Sequence, residues 1–217
     1  FFGIVLRLLD IMIIHGKTQN SNYLTSLQLK RADILDINGE ILATHIKTAS
    51  VYANPKIMID IDDAIVKINK IFKDISIEKL KYRLNPKRSF AWIARHITPI
   101  QQQQLNDLGI PGLYLVNDQK RVYPYGEIAS HILGCCNIDN IGIAGIEKSH
   151  DDILKSGSSS LVLSIDIRLQ YIAQDALAKA IKQFKAIGGN VMILDLKTNN
   201  LAAMVSMPTY NPTRLSA

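Results

Sequence analysis

Short apolar runs separated by polar, turn-forming residues fill most of the chain up to residue 156. Apolar and polar positions alternate over 34–43 around Asn38-Gly39, a pattern typical of a β-hairpin. Farther along, the spacing of apolar and capping residues predicts several more elements. These are helices over 62–72, 76–84 and 98–109, a strand over 90–95, two short strands over 113–123 flanking Asn117-Asp118, and a helix over 142–156.

The clearest helical periodicity lies in the last third of the chain, after the small, polar loop 156–160. A short apolar strand over 161–165 leads to a helix capped by Asp166, which Gly188-Gly189 ends at about residue 186. A hairpin over 191–195 and 201–206 follows. The apolar stripe of the helix consists of Leu169, Ile172, Ala173, Ala176, Leu177, Ala180, Ile181 and Phe184. The pattern predicts an α+β fold with a domain boundary at 156–160.

The composition is that of an ordinary folded protein. The chain has 217 residues, of which 47% are hydrophobic and 20% are charged. These values exclude a disordered tail and a collagen-like rod. The length suits one large domain or two small ones.

The first fourteen residues are strongly apolar but are interrupted by Arg7 and Asp10. A helix that spans a bilayer needs about 20 mostly apolar residues, so this stretch is too short to cross one by itself. It also lacks the basic leader of a complete signal peptide. Two interpretations stay open from the pattern alone: an amphipathic core helix, or the outer end of a membrane anchor.

Positive charge is concentrated in one segment. The chain carries a formal net charge of +6, and residues 67–95 contain nine bases against the two acids Asp74 and Glu78. Such a face could contact nucleic acid, anionic lipid or an acidic partner, although a solvated helix surface is the more common role. Aromatic residues make up only 6% of the chain, which disfavours nucleic-acid recognition by stacking.

The sequence offers no catalytic, metal-binding or cofactor-binding set of residues. Cys135 and Cys136 are adjacent and are interpreted as small apolar residues in a strand. The five histidines lack ligand spacing. Ser76 and Lys79 match the Ser-x-x-Lys spacing of a lysine-activated serine, but a helix N-cap at Ser76 explains the match without chemistry. We therefore predict no nucleophile here.

Eight short segments follow one another between residues 29 and 212. They are 36–43 (Asp36-Ile-Asn-Gly39 with Leu42-Ala43), Val51-Tyr-Ala-Asn-Pro55, Phe90-Ala-Trp-Ile-Ala-Arg95, Arg121-Val-Tyr-Pro124, Ala129-Ser-His-Ile-Leu-Gly134, Gly142-Ile-Ala-Gly-Ile-Glu147, 163–170 (Leu163-Ser-Ile-Asp166 with Leu169-Gln170), and 189–212 from Gly189-Asn-Val-Met to Tyr210-Asn-Pro212. With these segments in this order, the chain resembles the class B penicillin-binding proteins, the monofunctional transpeptidases of bacterial cell-wall synthesis. Each match is short, and their order carries the resemblance.

The resemblance implies a division of the chain. Residues 1–15 would be the outer end of a membrane anchor, and residues 16–160 the non-catalytic pedestal, also called the dimerisation domain. Residues 161–217 would be the first helix and β-hairpin of the transpeptidase domain, a fold related to serine β-lactamases. Since the family's nucleophilic Ser-x-x-Lys, Ser-x-Asn and Lys-Thr-Gly motifs lie outside these residues, the chain itself is expected to be inactive and to need no cofactor.

The resemblance also implies partners and a location. The family docks onto SEDS-type glycan polymerases and other divisome proteins, and reaches peptidoglycan through the transpeptidase domain. The implied location is the inner membrane, single-pass, with the bulk of the chain in the periplasm. A homodimer is possible, and nucleic acid is not an expected partner. The segments 90–95 and 121–124 are more similar to the septal, cell-division subtype than to the elongation subtype.

The chain departs from the family pattern at several positions. Ala32 and Ile37 replace a glycine and an arginine, and Asn199 replaces a turn glycine. The stretch between Glu147 and Asp166 is also shorter than in the family. These departures leave open a free-standing, non-catalytic remnant of the family. A basic nucleic-acid-binding protein is a third hypothesis, and it rests on charge alone.

Overall fold

The computed structural model describes residues 31–157 and 159–215, so the predicted anchor segment 1–15 lies outside the described residues. The elements are, in chain order, β1 (Ile34–Leu35), β2 (Ile41–Ala53), a 3-10 turn (Pro55–Ile57), α1 (Ile61–Ile71), α2 (Ile77–Arg83), β3 (Ala91–Ile97), α3 (Pro99–Leu108), β4 (Leu113–Val122), α4 (Ser130–Leu133), α5 (Gly145–Ser149), α6 (Asp151–Ser156), β5 (Leu161–Val162), α7 (Ile167–Phe184), β6 (Gly189–Asp195), β7 (Asn200–Met207) and α8 (Pro212–Leu215).

A long central strand organises the first part of the fold. β2 pairs antiparallel with β3 on one side and with β4 on the other, and its first residues pair with β1. β1 in turn pairs in parallel with β5. The predicted hairpin over 34–43 is present, but its second strand continues to Ala53 and forms the middle of the sheet.

The prediction of two short strands over 113–123 is wrong, because β4 is one continuous strand. It pairs with β2 residue by residue, from Leu113 opposite Ala53 to Val122 opposite Thr44. Asp118 belongs to the ladder and not to a turn, since the buried Ser50 hydroxyl and the Arg95 guanidinium both donate to its carboxylate. A polar residue is tolerated inside a strand when its side chain is hydrogen-bonded in this way.

The helices α1, α2 and α3 cover one face of the sheet, and the larger of the two hydrophobic cores lies between these helices and the sheet. Fully buried aliphatic side chains meet there from both layers. Local signals start and stop these helices: Ser76 Oγ accepts from the Lys79 amide at 3.3 Å, and Thr98 and Gln101 form a capping box. Gly109 ends α3 with φ +56°. The predicted helices are therefore confirmed, including Ser76 as a helix cap.

The predicted single helix over 142–156 is instead two short helices, α5 and α6. The chain before α5 is extended, because the Ile143 amide donates to Cys135 O at 2.9 Å and Cys136 forms an isolated β-bridge with Gly142. Cys135 and Cys136 are buried free thiols, as expected for small apolar residues, but they lie outside the named strands.

The last part of the described chain packs α7 against the β6–β7 hairpin. The buried Gln170 side chain ties the two together, donating to Met204 O at 2.7 Å and accepting from the Met204 amide at 2.9 Å. The helix ends at Phe184 with Lys185 in the left-handed region, and not at Gly188-Gly189 as predicted. Asn199 takes the left-handed turn position with φ +56°, as expected of asparagine.

Candidate functional site: a buried ionic cluster

The carboxylate of Glu147, on α5, is fully buried and lies at the centre of a cluster of charged and polar side chains. Oε2 accepts from Arg31 Nε at 2.7 Å, and Oε1 accepts from Arg121 Nε at 2.6 Å. The Cys136 thiol lies 3.2 Å from Oε2 and the Tyr123 hydroxyl 3.4 Å from Oε1. One carboxylate thus joins β4, α5 and Arg31, which lies in the segment before β1.

Arg31 binds the α5–α6 segment with its whole guanidinium group. Nη2 donates to Glu147 O at 2.6 Å, and Nη1 donates to Asp151 Oδ1 at 2.6 Å and to Asn140 O at 3.3 Å. Burial disfavours the charge of Arg31, but Glu147 and Asp151 more than offset this and raise its pKa. Two carboxylates thus face the two guanidiniums, and Asp151 Oδ2 also accepts from the exposed Lys155 Nζ at 2.6 Å.

Glycines let the backbone close around Glu147. A Cβ on Gly142 would lie 2.0 Å from Glu147 O, and a Cβ on Gly134 would lie 1.9 Å from Ala144 O. Both distances are far inside van der Waals contact, so only glycine fits at these positions. The spacing of the segments 129–134 and 142–147 therefore reflects close backbone packing around the ionic cluster.

His45 completes the cluster on its outer side. Arg121 Nη1 lies 3.1 Å from His45 Nδ1, and His45 Nε2 lies 3.3 Å from Asn140 Oδ1. The arginine can only donate, which assigns the imidazole proton to Nε2. Burial and the positive charge of Arg121 lower the pKa of His45 to about 4, so this ring is neutral at pH 7.

The protonation states of the cluster suit structure and not catalysis. Burial, reinforced by Glu147, raises the pKa of the Cys136 thiol to about 12. The same two causes raise the pKa of Tyr123. A thiol and a phenol that stay protonated donate to the carboxylate and are poor nucleophiles. The cluster is therefore a clamp that fixes Arg31, in the segment before β1, against β4 and α5.

The neutral state of His45 predicts a pH dependence of stability. The unfolded chain takes up a proton near pH 6.5 and the folded chain only near pH 4. The contribution of His45 to the free energy of unfolding should therefore be fully retained above about pH 6.5. Between about pH 6.5 and pH 4 the free energy of unfolding should fall by up to about 1.4 kcal/mol for each unit by which the pH is lowered. Burial also lowers the pKa of His96, which adds a loss of the same sign.

Urea unfolding at a series of pH values measures this slope. In the His45→Gln variant, which keeps an amide donor but cannot titrate, the loss of stability between about pH 6.5 and pH 4 should be smaller than in the parent protein. Equal slopes in the two proteins would contradict the assignment to His45.

The clamp residues received no role from the sequence, although Arg121 and Glu147 stand in two of the segments that carried the resemblance. The sequence did carry one signal that could have identified such a residue, namely a single charged residue in an otherwise apolar segment, as Glu147 is in 142–147. Ser76 and Lys79 lie far from the clamp in sequence, on the exposed start of α2. The basic segment 67–95 is mostly exposed, with Arg83 bonded to Ile93 O at 2.7 Å.

The described residues contain neither a metal site nor a membrane-spanning helix. Within 31–157 and 159–215, no group of three or more His, Cys, Asp or Glu side chains is placed to hold a metal ion. None of the helices in these ranges has both the length and the apolar character needed to cross a membrane.

The sequence and the fold are both similar to those of known proteins. The family model "Penicillin-binding Protein dimerisation domain" matches residues 26–174. The peptidoglycan D,D-transpeptidase FtsI of Escherichia coli is 30% identical over 94% of this chain and 40% of its own length. The probable peptidoglycan D,D-transpeptidase PbpC of Pseudomonas aeruginosa is 30% identical over 86% of this chain and 38% of its own.

Among solved structures, the complex between penicillin-binding protein PBP2 and MreC from Helicobacter pylori aligns with a TM-score of 0.67 and 24% identity, covering 87% of this chain and 43% of that one. The chain thus spans about two fifths of the length of these relatives. The matched segment contains the whole ionic clamp. The chain therefore belongs to the class B penicillin-binding proteins, in the N-terminal region that holds their dimerisation domain.

Proposed function

We propose that this chain is the non-catalytic, membrane-proximal part of a peptidoglycan D,D-transpeptidase of septal cell-wall synthesis. Residues 16–160 form the pedestal, residues 161–217 begin the transpeptidase domain, and residues 1–15 belong to a membrane anchor that leaves the bulk of the protein in the periplasm. Acyl transfer by a lysine-activated serine belongs to a part of the protein that this sequence does not include. The pedestal positions that part.

The observation that carries the proposal is how firmly the pedestal holds the start of α7. The strand β5 pairs in parallel with β1, and the Leu163 amide donates to Leu35 O at 2.9 Å. The Ile37 amide donates to Ile165 O at 3.0 Å, and Asp36 Oδ2 accepts from the Ile167 amide at 3.2 Å. A unit without a nucleophile that fixes the first helix of the next unit is suited to positioning.

The apolar side chains of α7 and the hairpin support a larger second unit. Ile172 is 61% exposed, Phe184 74%, Met192 71% and Leu196 83%. Large exposed apolar residues that are concentrated on one helix and its neighbouring hairpin mark a surface that another part of a protein covers. The strands β6 and β7 thus cover only part of the predicted apolar stripe of α7.

Docking onto a SEDS-type polymerase and divisome proteins is the partner role that we propose for the pedestal. The Helicobacter pylori structure is a complex of a penicillin-binding protein with a second protein, MreC, which supports protein docking as a role for this fold. Nucleic-acid binding is supported only by the net charge of +6. A homodimer of pedestals stays a prediction.

Labelling with fluorescent penicillin tests the proposal. In cells that make the native protein, an antibody against this chain should precipitate a labelled band well above 24.2 kDa, the mass of the chain. A fluorescent fusion should collect at the division site. An unlabelled native protein of the mass of this chain would instead mean a free-standing remnant.

The isolated 217-residue chain is expected to remain unlabelled by fluorescent penicillin. Its Ser76→Ala variant provides the matched control, because Ser76 is the serine with the Ser-x-x-Lys spacing. Labelling that is present in the parent chain and lost in this variant would overturn both its inertness and the assignment of Ser76 as only a helix cap.

A further inference from the structure

Exposed aromatic side chains occupy the sheet face that lies opposite the helical core. Tyr52 on β2 pairs directly with Trp92 on β3 and with Tyr114 on β4, and Phe90 lies just before β3. Val51, which precedes Tyr52 on β2, points to the opposite face of the sheet and is buried among the helices. We call Tyr52, Phe90, Trp92 and Tyr114 the aromatic platform.

The rings of the aromatic platform hold one another in place. The Tyr52 ring stacks on Tyr114 with centroids 5.1 Å apart, and its centroid is also 5.1 Å from that of Phe90. Phe90 meets Trp92 edge-on at 5.2 Å. Even so, Trp92 is 38% exposed, Tyr114 42% and Phe90 49%. The result is a large, rigid apolar surface that loses little side-chain entropy when a partner covers it.

A cavity of about 590 Å³ opens beside Trp92, toward α2. Lys79 and Arg88 line it, and the Arg88 guanidinium lies 4.5 Å from the Tyr82 ring centroid. Glu78 is its acidic lining residue, so bases predominate. An aromatic floor with exposed cations at the rim suits an apolar side chain flanked by carboxylates.

A second cavity, of about 640 Å³, is also lined by Trp92 and by Arg83. Arg95 reaches over the Trp92 ring at 4.8 Å from its centroid, while donating to Asp118 and Asp139. Lys120 also lines the cavity. Trp92 therefore lines two depressions that both have basic residues in their walls.

We propose that the aromatic platform and its two cavities bind an acidic protein segment that carries apolar side chains. The proposal rests on the docking role given above and names the surface and the chemistry of the partner. Trp, Tyr and Arg are the residues that dominate protein interfaces, and they converge here. Apolar side chains of the partner fill the cavities, and its carboxylates pair with the exposed bases at the rim.

Charge and shape disfavour two other occupants. A second copy of this chain, docked symmetrically through the same surface, would bring basic rims against each other. A lipid bilayer offers anionic headgroups but no protruding side chains to fill the two cavities that Trp92 lines. An acidic protein segment satisfies both the charge and the cavities.

The test selects ligands from a display library of random peptides of about twelve residues on the immobilised 217-residue chain. Enriched peptides should combine aromatic or large aliphatic residues with at least two carboxylates, and Trp92→Ala should weaken their binding by about tenfold or more. Tyr171→Ala, which removes an exposed ring on α7, is the matched control and should leave binding unchanged.

A double variant guards against a Trp92→Ala protein that fails to fold. Lys79 and Arg88 are exposed, so Lys79→Glu/Arg88→Glu should keep the fold while weakening peptide binding by about tenfold or more. Peptides without an acidic excess would overturn the proposal, and so would binding that both Trp92→Ala and Lys79→Glu/Arg88→Glu retain. So would platform-dependent binding to vesicles with about 30% phosphatidylglycerol, or platform-dependent dimerisation. Penicillin labelling of the native protein is independent of all these outcomes, so failure here leaves the proposed function standing.

Discussion

Replacing Glu147 with glutamine is expected to lower the free energy of unfolding by about 3–5 kcal/mol. Arg31 and Arg121 are almost fully buried, at 3% and 2% exposure, and each directs Nε at this carboxylate. Glutamine keeps the shape but presents an amide NH₂ where one guanidinium needs an acceptor. One buried cation is then left without its counter-charge. Because a typical domain is stable by about 5–15 kcal/mol, urea unfolding should resolve this loss easily.

A glutamate outside the clamp gives the matched control. Glu78 is exposed on α2, and Glu78→Gln should change stability by less than about 0.5 kcal/mol. If Glu147→Gln also stays within about 1 kcal/mol of the parent protein, the buried ion pairs contribute much less than their geometry indicates.

Replacing Asp36 with alanine is expected to cost about 2–4 kcal/mol and to loosen the junction between the pedestal and α7. The Asp36 carboxylate is fully buried. Oδ1 accepts from the amides of Asn38 at 2.7 Å and Glu40 at 2.9 Å, and Oδ2 accepts from the Ile167 amide at 3.2 Å. Alanine leaves these N–H groups without an acceptor. Urea unfolding gives the loss, and hydrogen exchange of the Ile167 amide reports the loosening.

Asp60→Ala separates this junction effect from the ordinary loss of a cap. Asp60 is an exposed helix cap whose Oδ1 accepts from the Asp63 amide at 2.9 Å, so its removal should cost only about 1 kcal/mol. Faster exchange at Ile167 is expected in Asp36→Ala and not in Asp60→Ala. Unchanged exchange at Ile167 in Asp36→Ala would contradict a junction role for Asp36.

Helices whose ends are decided by neighbouring residues were predictable from the sequence. Ser76 starts α2, Thr98 with Gln101 starts α3, and Gly109 ends α3, each through contacts within about one turn. The end of α7 was not predictable in this way, because Lys185 takes the left-handed conformation that the pattern assigned to the later Gly188-Gly189.

The long strands escaped prediction because their polar residues are satisfied by partners distant in sequence. Asn117-Asp118 is a turn signal by composition. In the fold, Ser50 on β2 and Arg95 on β3 donate to the Asp118 carboxylate, 68 and 23 residues away in the chain. A local pattern carries no information about such partners, so the strand was divided at that point.

The ionic clamp also depends on partners that are distant in sequence. Arg31 and Glu147 are separated by 116 residues, and Arg121 and Glu147 by 26. The sequence placed Arg121 and Glu147 in two segments that resemble a known family, yet gave neither a role. Only their burial around one carboxylate distinguishes them from the exposed bases of segment 67–95.

The sequence by itself determined the capped helices α1–α3, the β6–β7 hairpin, the α+β class and the family, because these depend on short-range spacing and on the order of motifs. Tertiary structure decided that β2 and β4 run unbroken, that Glu147 gathers two arginines, and that Trp92 is exposed and lines two cavities. The physical reason is the same in each case. Whether a polar or aromatic side chain is buried, paired or exposed depends on which distant residues the fold brings beside it.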